Sequence, residues 1–355
     1  MSLLEKKKRL CDRGCSKGHR LCQKFSHGQR KSVRPQMLVQ SEVAPQILPS
    51  TSSRCDGSRF WAVLIGIDDY GRNALHGCVS DARLMERYFV EDLGVPKDRI
   101  QLLLGSEDHT SSDDPMYPSR KHITDALLSL SNNNNIVYGD NIIIYFSGHG
   151  SSYSHYEDDE DEDADEDSIH EYIEALCPID RDTLDANGKR VPDISDRELN
   201  TILSQICRTK GEHITLILDC CYSGGTNFGL PERGARTAPQ TRHATLDDML
   251  HTGHNFLKDY PGYRSILAED WAPDTDSNVV LAACRDYEFA KAKKMKGGDG
   301  VYNGVFTQSL WRALRSDWKK EGMTYSRLIQ RLDKSIHQTP LAAGKHKDER
   351  IWFQQ

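Results

Sequence analysis

The chain has 355 residues, of which 37% are hydrophobic and 28% charged, and its formal net charge at pH 7 is −7. This composition is ordinary for a soluble globular protein and argues against nucleic acid as a partner. No apolar run reaches the roughly 20 residues that cross a bilayer, and ten scattered cysteines at this length do not make a disulfide scaffold. We therefore expect a cytoplasmic or nuclear protein with no membrane partner.

Charge is distributed unevenly along the chain. Residues 1–36 contain eleven Lys and Arg but only two acids, whereas residues 157–167 are acidic at every position except Ala164. Neither segment can bury much apolar surface, so both are predicted to be solvated and flexible. No apolar segment follows the basic start, which argues against a secretory signal. We interpret residues 1–58 as a flexible basic N-terminal arm.

Apolar periodicity predicts alternating strands and helices from Phe60 onward. Strand-length apolar runs lie at residues 60–67, 100–104, 141–146, 213–218 and 278–283, with Ile351–Phe353 as a candidate last strand. Helical spacing lies at residues 79–93, 119–131, 196–207, 305–315 and 325–336. Ser195 is the predicted N-cap of the third helix, with Glu198 completing a capping box. This alternation predicts an α/β fold with a mainly parallel central sheet and helices on both faces, interrupted by long loops at the acidic run and at residues 226–277.

Two of the predicted strands end in residues that can carry chemistry. His149 follows the strand at 141–146, and Cys221 follows the strand at 213–218. Ligands of open α/β sheets bind beyond the carboxyl ends of the strands, so neighbouring strands would bring imidazole and thiol together. A nearby histidine favours the reactive thiolate. Taken singly, each residue is better explained as a turn histidine or an inert buried thiol. The matched strand ends favour a reactive pair.

Glycines flank both of these residues. Gly148 and Gly150 surround the histidine, and Gly224 and Gly225 follow the cysteine closely. Glycine lets a substrate backbone approach, and free backbone N–H groups can stabilise an oxyanion.

The segments around His149 and Cys221 resemble those of a known family. The segments Tyr145-Phe-Ser-Gly-His-Gly150 and Asp219-Cys-Cys-Tyr-Ser-Gly224 resemble the paired signature of metacaspases, relatives of the caspases, and the resemblance is type I-like. It runs from about Phe60 to Phe353, with further matches at residues 75–81, 176–180, 280–285 and 304–307. It implies a caspase–hemoglobinase fold and a cysteine endopeptidase that hydrolyses peptide bonds through an acyl-enzyme. The peptidase domain would cover residues 59–355, with a large-subunit part at about 59–229, a linker at about 230–277 and a small-subunit part at about 278–355.

The resemblance also implies roles for individual residues. Cys221, rather than Cys220, is the nucleophile, His149 is its acid–base partner, and the backbone N–H groups of Gly150 and Cys221 are the oxyanion donors. The family's pocket for the substrate residue before the scissile bond maps onto Cys78, Asp81, Ser147 and Asp219. Two carboxylates in that pocket predict protein or peptide substrates with Arg or Lys before the scissile bond. Asp81 is alternatively explained as an acid at a helix N-terminus.

Two departures from the family pattern bear on regulation. Tyr222 replaces the usual histidine, and nothing in the sequence explains its effect. Many metacaspases bind calcium partly through adjacent acids, but Arg197 takes the place of one of them here. We therefore expect no required cofactor. Calcium is the one candidate cofactor.

Regulation and activity leave several hypotheses open. Arg233, Arg236 and Arg242 lie among small residues after the nucleophile, which predicts self-cleavage of a zymogen in this loop. We expect a monomeric protease with a role in proteolysis or cell-death-like signalling. The alternatives are a catalytically silent, caspase-like scaffold and an Asp-directed caspase.

Overall fold

A computed structural model gives the architecture of the chain. It describes residues 56–106, 111, 113–154, 172–221, 235–285, 288, 290–294, 302–316, 322–333 and 338–354. Most of the basic arm and the whole acidic run at 157–167 lie outside these ranges, as do Tyr222, Gly224, Gly225 and Arg233.

Six strands form the central sheet. In chain order they are β1 (Phe60–Ile67), β2 (Ile100–Gly105), β3 (Asn141–Ser147), β7 (Ile214–Asp219), β8 (Val279–Ala282) and β11 (Leu341–Ala343), and their spatial order is β11-β8-β7-β3-β1-β2. Five strands run parallel, and only β11 at the edge pairs antiparallel with its neighbour. The five strands predicted from apolar runs are confirmed within one residue at each end. The mainly parallel sheet is therefore confirmed.

Helices cover both faces of this sheet, as predicted. They are α1 (Cys78–Arg87), α2 (Arg120–Asn132), α3 (Asp196–Lys210), α4 (Leu246–Leu257), α5 (Val305–Ser316) and α6 (Tyr325–Gln330). Alternate residues of β1 point to opposite faces, so Ala62 and Leu64 join the core beneath α1 and α5, while Val63 and Ile65 join the core beneath α2 and α3. In the part of the chain that the structure describes, no helix is long and apolar enough to cross a membrane.

A second, three-stranded sheet lies beside the carboxyl ends of β3 and β7. It consists of β4 (Gly150–Ser154), β5 (Tyr172–Leu176) and β6 (Ile194–Ser195), all antiparallel. A further hairpin joins β9 (Ala292–Lys294) to β10 (Tyr302–Gly304). Apolar periodicity did not reveal these elements, because β4 consists of glycine, serines and one tyrosine, and β6, β9 and β10 have only two or three residues each.

Three sequence predictions about elements were wrong. Ile351–Phe353 forms a 3₁₀ turn instead of a strand, because Trp352 (φ 58°) folds back against Phe60, Phe89 and other aromatic rings. The segment 226–277 is no structureless loop, since it contains α4, which begins with a capping box formed by Thr245 and Asp248. The helix predicted at 325–336 ends at Gln330.

The predicted start of α3 is confirmed only in part. The Ser195 hydroxyl accepts a hydrogen bond from the backbone N–H of Glu198, as expected of an N-cap. The Glu198 carboxylate does not return the bond; it pairs with the buried guanidinium of Arg120 at 2.5 Å. A buried ion pair across α2 and α3 thus replaces the local capping box.

Candidate active site

Register between β3 and β7 brings the two predicted reactive residues together. The two strands are parallel neighbours, and Ser147 lies opposite Asp219 in the ladder. His149 and Cys221 each follow two residues beyond this pair, at the same edge of the sheet. The two strands are therefore neighbours, as the predicted pair requires.

His149 is held as a neutral base. Its ring nitrogen Nε2 lies 2.8 Å from the backbone carbonyl oxygen of Asn73. A carbonyl only accepts hydrogen bonds, so Nε2 carries the proton and Nδ1 keeps its lone pair. Among the described residues, Nδ1 is buried with no hydrogen-bond partner. Burial lowers the pKa of His149 from 6.5 to about 4, so the ring is neutral at physiological pH.

Tyr70 fixes the orientation of this histidine. Its ring packs against the imidazole with 4.5 Å between centroids, and its hydroxyl accepts the backbone N–H of His149 at 3.1 Å. The same hydroxyl donates to the carbonyl of Cys177 at 2.9 Å. Sequence reasoning missed Tyr70 and Asn73, since both precede the histidine by more than 70 positions and carry no local signal.

Strand alternation separates the two adjacent cysteines. Cys220 packs into the core beneath α2 and α3, and Cys221 packs into the opposite core. The sulfur of Cys221 accepts a hydrogen bond from the backbone N–H of Ala290. The backbone N–H of Cys221 donates to the carbonyl oxygen of Arg236 at 3.0 Å, and that of Gly150 donates to the same oxygen at 3.1 Å. The two N–H groups named as oxyanion donors therefore converge on one peptide carbonyl.

A buried acidic pocket surrounds the guanidinium of Arg236. Its Nη2 lies 2.6 Å from a carboxylate oxygen of Asp81, and its Nη1 lies 2.8 Å from a carboxylate oxygen of Asp219. Nη1 also donates to the hydroxyl of Ser147 at 2.8 Å. The arginine and both acids are fully buried. Cys78, the fourth predicted pocket residue, is buried at the start of α1, and burial raises the pKa of its thiol.

The segment around β10 and α5 supports these carboxylates. Asp81 accepts from the side-chain amide of Asn303 at 2.8 Å and from the backbone of Gly304 at 3.0 Å. Asp219 accepts from the hydroxyl of Thr307 at 2.6 Å. A Cβ at position 304 would lie 2.3 Å from an Asp219 oxygen, so only glycine fits there. The resemblance to the family at residues 304–307 pointed to this segment, but the sequence did not predict that it contacts Asp81 and Asp219.

Two carboxylates share one guanidinium in this pocket. Burial and the neighbouring charge of Asp219 raise the pKa of Asp81 to about 6, although Arg236 opposes the shift. The same two acids raise the pKa of Arg236, which stays charged. The pocket therefore keeps a surplus negative charge at neutral pH. It is complementary to a cationic side chain and repels an acidic one.

Calcium, which the family resemblance suggests, does not fit the residues around Arg197. This side chain is buried and donates to the carbonyl oxygens of Ile266 at 2.9 Å and Ala268 at 3.3 Å. Its guanidinium also lies over the ring of Trp271, 5.3 Å from the centroid. A divalent cation placed here would meet a fixed positive charge. Within the described ranges, no cluster of three His, Cys, Asp or Glu residues could hold a metal.

The mainly parallel sheet with helices on both faces is the architecture of a caspase-like fold, and it presents a histidine and a cysteine at adjacent strand ends. Residues 61–231 match the family model for the metacaspase peptidase C14 domain. The match covers 171 of the 355 residues, and over this segment the chain is similar to metacaspases.

Curated relatives are similar over this same region. Metacaspase-3 of Arabidopsis thaliana is 35% identical over 171 residues, which cover 48% of this chain and 41% of that protein. Metacaspase-1 of Botryotinia fuckeliana is 31% identical over 53% of this chain and 39% of its own length. Metacaspase-1 of Arabidopsis thaliana is 29% identical over 59% of this chain and 52% of its own length. The matched region thus spans only about two fifths to one half of these relatives.

Proposed function

We propose that this protein is a cysteine endopeptidase that cleaves peptide bonds after arginine and, less well, after lysine. One observation carries the proposal. The carbonyl of an arginine accepts hydrogen bonds from Gly150 and Cys221 while its guanidinium is paired with the acids of the pocket. An arginyl peptide therefore has a place in this site.

The chemistry follows from the two reactive groups. Nδ1 of His149 takes the proton of the Cys221 thiol, and the sulfur attacks the carbonyl carbon of the substrate. The oxyanion that forms is stabilised by the two backbone N–H groups. The imidazolium then protonates the leaving amine, and water hydrolyses the thioester with His149 as base. The Asn73 carbonyl stabilises the imidazolium, because it accepts its Nε2 proton.

Geometry favours arginine over lysine in this pocket. The two terminal nitrogens of the guanidinium contact two different carboxylates, and one of them also contacts Ser147. A single ammonium cannot span these acceptors in the same way. An aspartate would add a third carboxylate, so an Asp-directed specificity is disfavoured.

Several finer properties are part of this proposal. We infer self-cleavage in the loop after the nucleophile, since that loop already delivers an arginine to the pocket. Calcium independence is inferred from the guanidinium of Arg197. A monomeric state, a cytoplasmic or nuclear location and a role in cell-death-like proteolysis are the corresponding expectations for the whole protein.

A positional-scanning peptide library tests the function. The purified protein should release product from Arg and Lys sublibraries only, and the Cys221→Ala variant should release none. Cys220→Ala is the matched control, because it removes a neighbouring thiol that packs into the other core. A profile dominated by Asp would contradict the specificity. Equal activity in Cys221→Ala would contradict the mechanism.

A further inference from the structure

The chain that follows Arg236 lies along the edge strand β4. The N–H of Gly150 donates to the carbonyl of Arg236 at 3.1 Å, and the carbonyl of Gly150 accepts the N–H of Ala238 at 2.8 Å. Thr237, between them, forms a parallel bridge with Gly150. β4 is an edge strand of the three-stranded sheet, so this segment is added to the sheet as a further strand. The edge of β4 can therefore bind the part of a peptide that follows an arginine in the pocket.

Arg181 contacts the same segment one residue further on. Its Nη2 donates to the backbone carbonyl oxygen of Pro239 at 2.9 Å. Pro239 is the third residue after Arg236. The contacts of Gly150 and of Arg181 all involve main-chain atoms of the segment, and such contacts do not depend on the side chains of the bound chain. An external peptide that extends from the pocket along β4 could make the same ones.

An ion pair holds the guanidinium of Arg181 in the position that this contact needs. Its Nε and Nη2 donate to the two carboxylate oxygens of Asp193 at 2.8 and 2.7 Å. Asp193 is fully buried and also accepts the hydroxyl of Tyr153, a residue of β4, at 2.8 Å. The side chain of Arg181 keeps 14% of its surface exposed. The planar fork is thus fixed on one side and can meet a ligand on the other, so little order is lost on binding.

We propose that Arg181 determines specificity on the leaving-group side of the site. It binds the main-chain carbonyl of the third residue after the scissile bond, so the preferred substrates are extended chains that continue at least three residues beyond the arginine. This inference rests on the proposed endopeptidase activity and adds a second recognition site to the acidic pocket. An arginine that is followed by fewer than three residues is then a poor cleavage site.

The alternative role for this contact is to fix the loop to the domain. The loop has an anchor of its own, because the carboxylate of Asp182 accepts the backbone N–H groups of residues 242, 243 and 244 at 3.1 to 3.2 Å. The contact of Arg181 with Pro239 lies between this anchor and the oxyanion donors. A chain held there stays in register with β4, which keeps the carbonyl of the preceding arginine at those donors.

Two peptides that differ in a single carbonyl test the proposal. Both contain the sequence Ala-Arg-Thr-Ala of residues 235–238. One ends in prolinamide, and the other ends in pyrrolidide, which has the same ring but lacks the carbonyl that Arg181 would bind. The full-length protein is incubated with each peptide, and cleavage after arginine is followed by chromatography of the amine product. The ratio of the two kcat/KM values does not depend on the active fraction of a preparation.

The test variant is the double substitution Arg181→Gln with Asp193→Asn. It shortens the donor and also neutralises the buried carboxylate that would otherwise lose its partner. Arg190→Gln is the matched control, since this exposed arginine lies in the same loop and donates to the carbonyl of Asp182 at 2.9 Å. Should the double variant fail to fold, Arg181→Lys is the second variant, because a single ammonium replaces the fork.

We expect the wild type and Arg190→Gln to cleave the prolinamide roughly 10- to 100-fold better than the pyrrolidide, which is the effect of one hydrogen bond from a charged donor. The ratio should fall to about one in the double variant and should also fall in Arg181→Lys. A purely structural role of Arg181 would lower kcat/KM for both peptides equally and leave the ratio unchanged.

Two results would overturn the inference while the proposed function stands. One is a wild-type ratio near one with both peptides cleaved after arginine. The other is a high ratio that persists when Arg181 is replaced. If the wild type cleaves neither peptide after arginine, the proposed function fails together with this inference.

Discussion

Asp219→Asn is the sharpest test of the acidic pocket. The substitution keeps the shape and the acceptor for Thr307, whose hydroxyl lies 2.6 Å from the carboxylate, but removes one of two charges that face the guanidinium. Asp219 and its partner Arg236 are fully buried, so water does not screen the pair. Loss of one partner of a buried charge pair costs about 2–5 kcal/mol. At 1.4 kcal/mol per tenfold, kcat/KM for arginyl substrates should fall by roughly 30- to 4,000-fold.

The assay compares two peptides that differ only in the residue before the scissile bond, arginine or its neutral isostere citrulline. The ratio of their kcat/KM values does not depend on how much of each preparation is active, so incomplete processing does not disturb it. This ratio should collapse in Asp219→Asn and stay unchanged in Asp276→Asn, which removes an exposed carboxylate paired with Lys345. An Arg-to-citrulline ratio that falls less than about threefold in Asp219→Asn would refute the pocket assignment, because it corresponds to well under 1 kcal/mol.

Three further predictions concern the dyad, calcium and pH. Cys221→Ala and His149→Ala should each abolish turnover, and the double variant should lose no more activity than either single variant. Cys220→Ala should keep most of the activity. An inactive Cys220→Ala variant beside an active Cys221→Ala variant would reverse the assignment of the nucleophile. Peptidase activity should be unchanged in excess chelator, because the Arg197 guanidinium donates hydrogen bonds to two carbonyl oxygens, at 2.9 and 3.3 Å, where a calcium ligand would be expected. A steep, saturable calcium requirement would contradict this prediction. KM for arginyl peptides should rise as pH falls through about 6, where Asp81 takes up a proton and the pocket loses a negative charge. Asp81→Asn should lack that step, and a KM that is flat from neutral pH to pH 5 in the wild type would disprove it.

Pattern alone determined much of the scaffold. Four of the five predicted strands are buried along almost their whole length, and each is an apolar run of strand length because a strand that is covered on both faces carries few polar residues. The fifth, β2, lies at the sheet edge and is only partly buried. Alternation with helical segments then implied a mainly parallel sheet. The strand-end positions of His149 and Cys221 were visible for the same reason, because each residue lies three positions after the end of an apolar run.

Only the tertiary structure decided which residues complete the site. Arg236 was visible in the sequence as one of three arginines in a loop, but nothing local distinguished it from Arg242. Its selection follows from where the backbone of 235–238 pairs with Gly150 and Ala290. Asn73 was equally hidden, because a backbone carbonyl has no periodic signature. Thr307 lay in a segment that resembles the family, but its contact with Asp219 could not be read from the sequence.

The wrong prediction at the C-terminal end has the same origin. Ile351–Phe353 has the composition of a strand, yet Trp352 turns inward against Tyr88 and Phe89. Burial of a large aromatic ring in a distant core outweighs local β-propensity, which spans only about 1 kcal/mol. Short-range pattern therefore specified five strands of the central sheet and the strand-end positions of His149 and Cys221. Contacts between residues far apart in the chain specified the rest of the site. Ion pairs of Arg236 with Asp81 and Asp219 form the pocket, and the ring of Tyr70 orients His149.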